Sequence, residues 1–302
     1  MAYRERTESD EIKLFRYLDI RTVLPSKEKT IYLNLEKGYK GELMFDQFTE
    51  GLDKSKFLIV NDLLLETNCT TFQIDASIIS QEIFLPCEVK NFEGDYYYRS
   101  DHFYAMNDFE IQNPLDQIKR SGTLLQQVFQ KKKVPFSINS KVFFVNPAFT
   151  LYQAPLEKPI IYPTQLQNYF EELNAKPSIL RDNHYVLADY LVKEHKTQSP
   201  YTRLPPYKYE QLKKGLSCLV CHSLSVSSDG TITVCHSCGC VEKVEDALLR
   251  SVKELQLLFP DIKITTNLVF EWCKVIDSKK QIRRILKKHY QIMGARHSTY
   301  YR

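Results

Sequence analysis

Two pairs of cysteines, Cys218-x2-Cys221 and Cys235-x2-Cys238, have the spacing of metal ligands. Each pair can bring two thiolates to one ion, and the 13 residues between the pairs suit a short hairpin, so a tetrahedral zinc site is expected. Four thiolates close the coordination sphere and leave no position for water or substrate. Such a Zn²⁺ is structural, and chemistry has to be sought elsewhere. The first pair followed by His222 also spells Cys-x-x-Cys-His, the attachment pattern of c-type haem. The second pair weighs against haem. His222, His236 and Cys240 lie near enough to compete as ligands, but closure by four thiolates is the simpler account.

The second constellation is Asp75, Glu88 and Lys90. In the run 72–78, Ile74, Ala76 and Ile78 alternate with Gln73, Asp75 and Ser77, as on a strand with one apolar face. In 84–90, Leu85, Cys87 and Val89 take one side while Glu88 and Lys90 share the other. If the two strands pair as a hairpin, Asp75 and Glu88 converge with Lys90 beside them. Two carboxylates and an ammonium suit a hard divalent cation and a phosphate. The cation relieves repulsion between an anionic nucleophile and a phosphodiester and lowers the pKa of a bound water. The lysine orients the nucleophile or stabilises developing charge. Against this stands a plainer reading: Asp-x12-Glu-x-Lys is a permissive spacing, and charges on a polar strand face are ordinarily solvated or weakly paired.

The elements that must position these residues follow from periodicity and punctuation. Residues 38–52 read as a helix ending near Gly51. Strands are expected at 57–66, 71–80 and 82–89, as an antiparallel meander. A helix over 114–130 opens on Asn113-Pro114, with Pro in its first turn, and 141–146 reads as a buried strand. Helices near 163–174 and 184–195 lead to Pro200, Pro205 and Pro206, which mark a hinge. His184 and His195 lack ligand spacing on one helical face. Three further helices are expected at 248–259, 265–276 and 278–290, a helix-turn-helix-like set. The last carries Lys279, Lys280, Arg283, Arg284, Lys287 and Lys288 around Ile282, Ile285 and Leu286, which leaves a basic face for nucleic-acid phosphates. An inert solvated helix would look the same.

Charge supports that division. The net charge is +4, yet residues 274–302 alone hold nine Lys or Arg against Asp277, so the remainder is acidic. At 302 residues and 43% hydrophobic content the chain can bury a sizeable core plus small modules. No apolar run approaches the roughly 18 residues that cross a bilayer, and the opening Met-Ala-Tyr-Arg-Glu-Arg-Thr-Glu-Ser-Asp-Glu has no apolar secretion segment. No membrane association and a cytoplasmic location are expected, where paired cysteines favour metal over disulfides. Cys69, Cys87 and Cys273 are expected to be buried packing residues.

The run Gly38-Tyr-Lys-Gly-Glu42-Leu-x-Phe-Asp, then Phe72-Gln-Ile-Asp75, Glu88-Val-Lys90-Asn and Asn113-Pro114-x-x-Gln117, resembles the nuclease-related domain (NERD) of the PD-(D/E)xK restriction-endonuclease-like superfamily. The likeness spans about residues 37–155. It implies an α/β fold with a mixed four-stranded sheet flanked by helices, in the order helix, three strands, helix, strand. By position it makes Glu42, Asp75 and Glu88 ligands of Mg²⁺ or Mn²⁺, Lys90 the catalytic lysine, and Gln117 a polar group orienting substrate or water. Taken alone, Glu42 is an exposed helix carboxylate and Gln117 an ordinary first-turn residue. The tyrosines of 91–99 either stack on bases or pack as a hairpin on their own sheet. The expected organisation is a helical lead-in over 1–36, the nuclease-related domain over 37–155, a helical linker over 156–207, a zinc ribbon over 208–243 and a basic helical module over 244–302. The function implied is a divalent-metal-dependent nuclease acting on DNA. The alternatives are a non-catalytic nucleic-acid-binding or assembly protein on the same fold, and a zinc-stabilised interaction scaffold.

Overall fold

The computed structural model describes residues 2–197, 204–295 and 298–302. It is a mixed α/β structure that divides into two compact units, Met1–Glu8 with Asn34–Thr202 and Ser9–Leu33 with Arg203–Arg302. Among the described residues no helix is long and apolar enough to cross a membrane.

The chain opens with α1 (Asp10–Arg21), capped by the Ser9 hydroxyl, which accepts from the Ile12 N–H. α2 (Ser26–Glu50) is one continuous helix where the sequence suggests a lead-in and then a helix beginning at residue 38. Gly38 and Gly41 lie inside its turns. At Gly41 glycine answers to a close approach, since a Cβ there would stand 2.5 Å from the Asn91 Cβ. Asn91 Nδ2 also donates to the Lys37 carbonyl at 2.8 Å, so the end of a strand is pinned to this helix.

The three expected strands form as β1 (Leu58–Thr67), β2 (Thr70–Ile79) and β3 (Ile83–Lys90), paired antiparallel in sequence order. Asn68 and Cys69 turn β1 into β2 with φ of 48° and 58°, the left-handed pair that a two-residue hairpin turn demands. That turn leaves Cys69 exposed, contrary to expectation, whereas Cys87 and Cys273 are buried. Next come β4 (Gly94–Arg99), β5 (His102–Ala105) and β6 (Glu110–Ile111), then α3 (Pro114–Lys132), whose Asn113 side chain accepts from the Leu115 N–H. β7 (Ser137–Ile138), β8 (Lys141–Phe144), β9 (Phe149–Tyr152) and β10 (Ile160–Ile161) precede α4 (Leu166–Ala175) and α5 (Asp182–Glu194).

One sheet runs β1-β2-β3-β8-β10 with β7 beside β3, and a second runs β6-β5-β4-β9. Both are mixed: β3–β8 and β4–β9 pair parallel. On one face of the larger sheet, Phe45 of α2 and Leu166 and Phe170 of α4 pack on Ile78, Leu85 and Phe143. On the other, Leu125 and Phe129 of α3 and Leu187 and Leu191 of α5 pack on Val60, Ile74 and Phe84. Residues 156–207, expected as a linker, thus supply two helices to this core. A third cluster, with Tyr98, Phe103, Phe144 and Phe149, joins the two sheets. The tyrosine-rich hairpin packs on itself, with the Tyr97 and Tyr104 rings stacked at 5.1 Å.

The alternation read for β2 does not hold along its whole length. Ile74 packs with Phe72 and Leu63, while Ala76 and Ile78 belong to the opposite cluster. The neighbouring strand switches at the same level, between the pairs Asn61–Ala76 and Leu63–Ile74, where Asp62 takes a φ of 52°. Asp75 sits at this exchange of faces.

In the other unit, β11 (Val226–Asp229), β12 (Ile232–Cys235) and β13 (Val241–Lys243) form an antiparallel sheet. The three expected helices follow as α6 (Val244–Leu258), α7 (Thr266–Cys273) and α8 (Lys279–His289), and β14 (Ile292–Met293) pairs with β15 (Tyr300–Tyr301). α1 belongs to this unit. Its Arg21, fully buried, forks onto the fully buried Glu254 of α6 at 2.6 and 3.0 Å, donates to the carbonyls of Lys213 and Gly215, and lies 4.0 Å over the Trp272 ring. All three guanidinium nitrogens donate, which is what makes a dry ion pair tolerable. Of the three prolines read as a hinge, Pro200 lies outside the described residues.

Candidate metal centres and basic face

β3 sets Glu88 and Lys90 on one side, and their charged ends meet at 2.7 Å. Asp75 Oδ2 accepts from the Val89 N–H at 2.8 Å, so the β2–β3 pairing brings Asp75 to the same level. Glu42 comes from the middle of α2. The residue sequence reasoning missed is Arg6. It donates from Nη1 to Glu42 Oε2 at 2.5 Å, from Nε and Nη2 to the two Asp46 oxygens at 2.8 and 3.0 Å, and from Nη2 to the Asp75 carbonyl at 2.9 Å. Nothing in Tyr-Arg-Glu-Arg announces this role. Asp46 had a signal, because it stands one helical turn after Glu42 and shares its face.

The side chains of Glu42, Glu88 and Lys90 are 20%, 12% and 18% exposed, so charge in this cluster is poorly solvated. Burial, and then the Asp75 charge, push Glu42 up to about 8 and Glu88 up to about 7. Burial also raises Asp75, against the lowering pull of Lys90 and the Val89 N–H. Carboxylates that repel one another in a half-buried cluster fit a hard cation by donor chemistry. Their oxygens do not all come within 4.8 Å of one another; among the described residues only the cysteine group does. The partners explain the spread: Arg6 takes Glu42, Lys90 takes Glu88 and the backbone takes Asp75. Gln117 lies half-buried in the first turn of α3, with no side-chain hydrogen bond to Asp75, Glu88 or Lys90.

The sulfurs of Cys218, Cys221, Cys235 and Cys238 all lie within 4.8 Å of one another, with Cys218–Cys238 and Cys221–Cys235 at 3.5 Å. Zinc–sulfur bonds of about 2.3 Å put the edges of an ideal tetrahedron at about 3.8 Å, so the donor set fits zinc. Each knuckle turns on a left-handed residue just after its second cysteine, His222 with φ 58° and Gly239 with φ 73°. Neither His222, His236 nor Cys240 joins the group.

On α8, Ile282, Ile285 and Leu286 are buried and the six basic residues are exposed, as the periodicity required. Lys288 pairs with Glu245 at 2.7 Å, and Lys279 donates to Asn267 while lying 4.9 Å over Phe270. Lys280, Arg283, Arg284 and Lys287 have no ion pair among the described residues.

No curated protein and no solved structure matches the chain. Residues 37–145, the stretch that holds Glu42, Asp75, Glu88, Lys90 and Gln117, match the family model of the nuclease-related domain. By that match this segment is similar to the nuclease-related domain (NERD), a family of the PD-(D/E)xK-like nuclease superfamily.

Proposed function

We propose that the protein is a divalent-metal-dependent nuclease that hydrolyses phosphodiester bonds in DNA. The observation that carries this reading is the meeting of Glu88 and Lys90 at 2.7 Å beside Asp75, within the segment that matches the nuclease-related domain. In this reading the larger sheet with α2 and α3 is a restriction-endonuclease-like core, and α6 to α8 form a helix-turn-helix-like module. Asp75, Glu88 and Glu42 would hold Mg²⁺ or Mn²⁺. When bound, the cation offsets the charge of the scissile phosphate and makes water a better nucleophile at neutral pH. Lys90, held against Glu88 at 2.7 Å, stabilises negative charge growing on the phosphate oxygens. Gln117 orients the substrate. The four cysteines hold a structural Zn²⁺, and Lys279, Lys280, Arg283, Arg284, Lys287 and Lys288 bind backbone phosphates without reading bases. A cytoplasmic setting would keep the thiols reduced.

A second reading, a non-catalytic nucleic-acid-binding or assembly protein, is favoured by one fact: Arg6 already occupies Glu42, at 2.5 Å. Purified protein with Mg²⁺ or Mn²⁺ on single- and double-stranded DNA separates the two. The nuclease reading expects cleavage that Lys90→Ala reduces by about a hundredfold or more, with binding retained. Binding with no metal-dependent cleavage supports the second reading.

A further inference from the structure

Arg6 lies in the N-terminal segment, remote in sequence from every acid it touches. The segment is held along β1: the Tyr3 and Arg4 amides donate to the Ile59 carbonyl at 2.8 and 3.2 Å, and Asn61 donates back to the Arg4 carbonyl at 3.2 Å. Two residues further on, the Arg6 side chain is 2% exposed and surrounded by carboxylates. Its four bonds are unequal in kind. Asp46 receives a two-pronged fork and the Asp75 carbonyl a third bond, both independent of Glu42, which is held by a single nitrogen. Losing Glu42 would still leave the guanidinium fixed by three hydrogen bonds. Glu42 is therefore the detachable partner, and of the two carboxylates that Arg6 holds, Glu42 and Asp46, it is the one that the metal-centre reading requires.

We propose that Arg6 is an internal counter-cation of the carboxylate centre. It takes up Glu42, so that a divalent cation binding at Asp75 and Glu88 gains its third carboxylate only by displacing Arg6 from it. The inference rests on the metal-centre reading above and deepens it: Arg6 is a positioning residue that sets the affinity of the centre for the cation. Without a metal it holds the Glu42 and Asp46 side chains together in a half-buried space. With a metal it stays on Asp46, ready to recapture Glu42.

The test is Mn²⁺ affinity, read directly from the electron paramagnetic resonance of free Mn²⁺ in the full chain. Arg6→Gln is expected to bind Mn²⁺ about tenfold or more tightly, because a nearby cation is gone and Glu42 is released. In an E42Q background the same substitution should change affinity by less than about threefold, the mark of coupling through Glu42. Unchanged or weaker binding by R6Q, or an equally large gain in E42Q, overturns the proposal. Should R6Q fail to fold, the wild-type chain serves: on Mg²⁺ titration the Arg6 Nε–Hε resonance is expected to shift and saturate with the binding isotherm, and an unmoved resonance overturns the idea. If neither wild type nor R6Q binds Mn²⁺ at all, the metal-centre reading falls together with this inference. If Mn²⁺ binds, is lost in E88Q, and R6Q leaves its affinity unchanged, only the role of Arg6 falls.

Discussion

Glu42 and Glu88 keep their protons into a pH range where ordinary glutamates are ionised, and this has a thermodynamic signature. In the unfolded chain both lose a proton near 4.5, but in the folded chain burial and the Asp75 charge delay the loss to about 8 and about 7. Between these values the folded protein binds more protons than the unfolded one, so stability falls as pH rises. Their contribution is fully present below pH 4.5 and lost as pH passes through about 7 to 8. Thermal unfolding of the metal-free protein is expected to show a melting temperature that drops across this window. Glu42→Gln or Glu88→Gln should flatten the slope, and Mg²⁺ should reverse it; a melting temperature rising steadily over the window would refute the assignment. At this scale the centre is only partly legible in the sequence. Alternation alone sets Glu88 beside Lys90, because two residues apart on a strand means one face. Arg6 is invisible, since its partners lie 36 to 69 positions away and no local pattern links them.

Among the elements, α2 and the four-cysteine module carry the sharpest tests. Gly41 allows α2 to approach Asn91, immediately after Lys90, and so fixes the height of Glu42 against β3. Gly41→Ala would improve the intrinsic propensity of the helix, yet its Cβ has no room. The overpacking should win, with a loss of about 1–3 kcal/mol in urea unfolding, and a stabilised variant would show that the approach is looser than described. For the cysteines, mass spectrometry should find one Zn²⁺ per chain in wild type and none in Cys221→Ser. Loss of the ion removes the link that ties the two knuckles together, so the melting temperature should fall by about 10 °C or more. A Cys221→Ser protein that keeps its zinc would implicate Cys240 or a histidine instead. Most element positions are legible because caps and turns are local: Asn113-Pro114 starts α3, Ser278 caps α8 and Asn68-Cys69 closes the first hairpin. The start of α2 at Ser26 escapes the sequence because residues 1–36 are charged and only loosely periodic, so no apolar stripe marks where the helix begins.

At the scale of the whole molecule, the basic face of α8 is a hypothesis about binding, and deleting the tail would test it badly. Ile282, Ile285, Leu286 and Tyr301 are buried, so removal of residues 274–302 would strip a core as well as a charge. Replacing Lys280, Arg283, Arg284 and Lys287 with Gln leaves that core intact. DNA affinity is then expected to fall, and the slope of log affinity against log salt to shrink by about 0.9 for each duplex phosphate that is no longer neutralised. An unchanged slope would mark the face as inert. What the sequence by itself determined was what depends on near neighbours: the two cysteine knuckles, the order of helices and strands, the pairing of Glu88 with Lys90, and a basic helix face opposite an apolar one. What only the tertiary structure decided was which distant segments join. It assigned α1 to the unit of the four-cysteine module through the buried Arg21–Glu254 pair. It also built a second sheet from short strands, switched the faces of β2 at Asp75, and brought Arg6 among the acids. The physical reason is one of range. Helix caps, turn residues and strand alternation act over a few positions and leave a periodic trace, whereas buried ion pairs and sheet order are selected by desolvation and packing between segments that share no period.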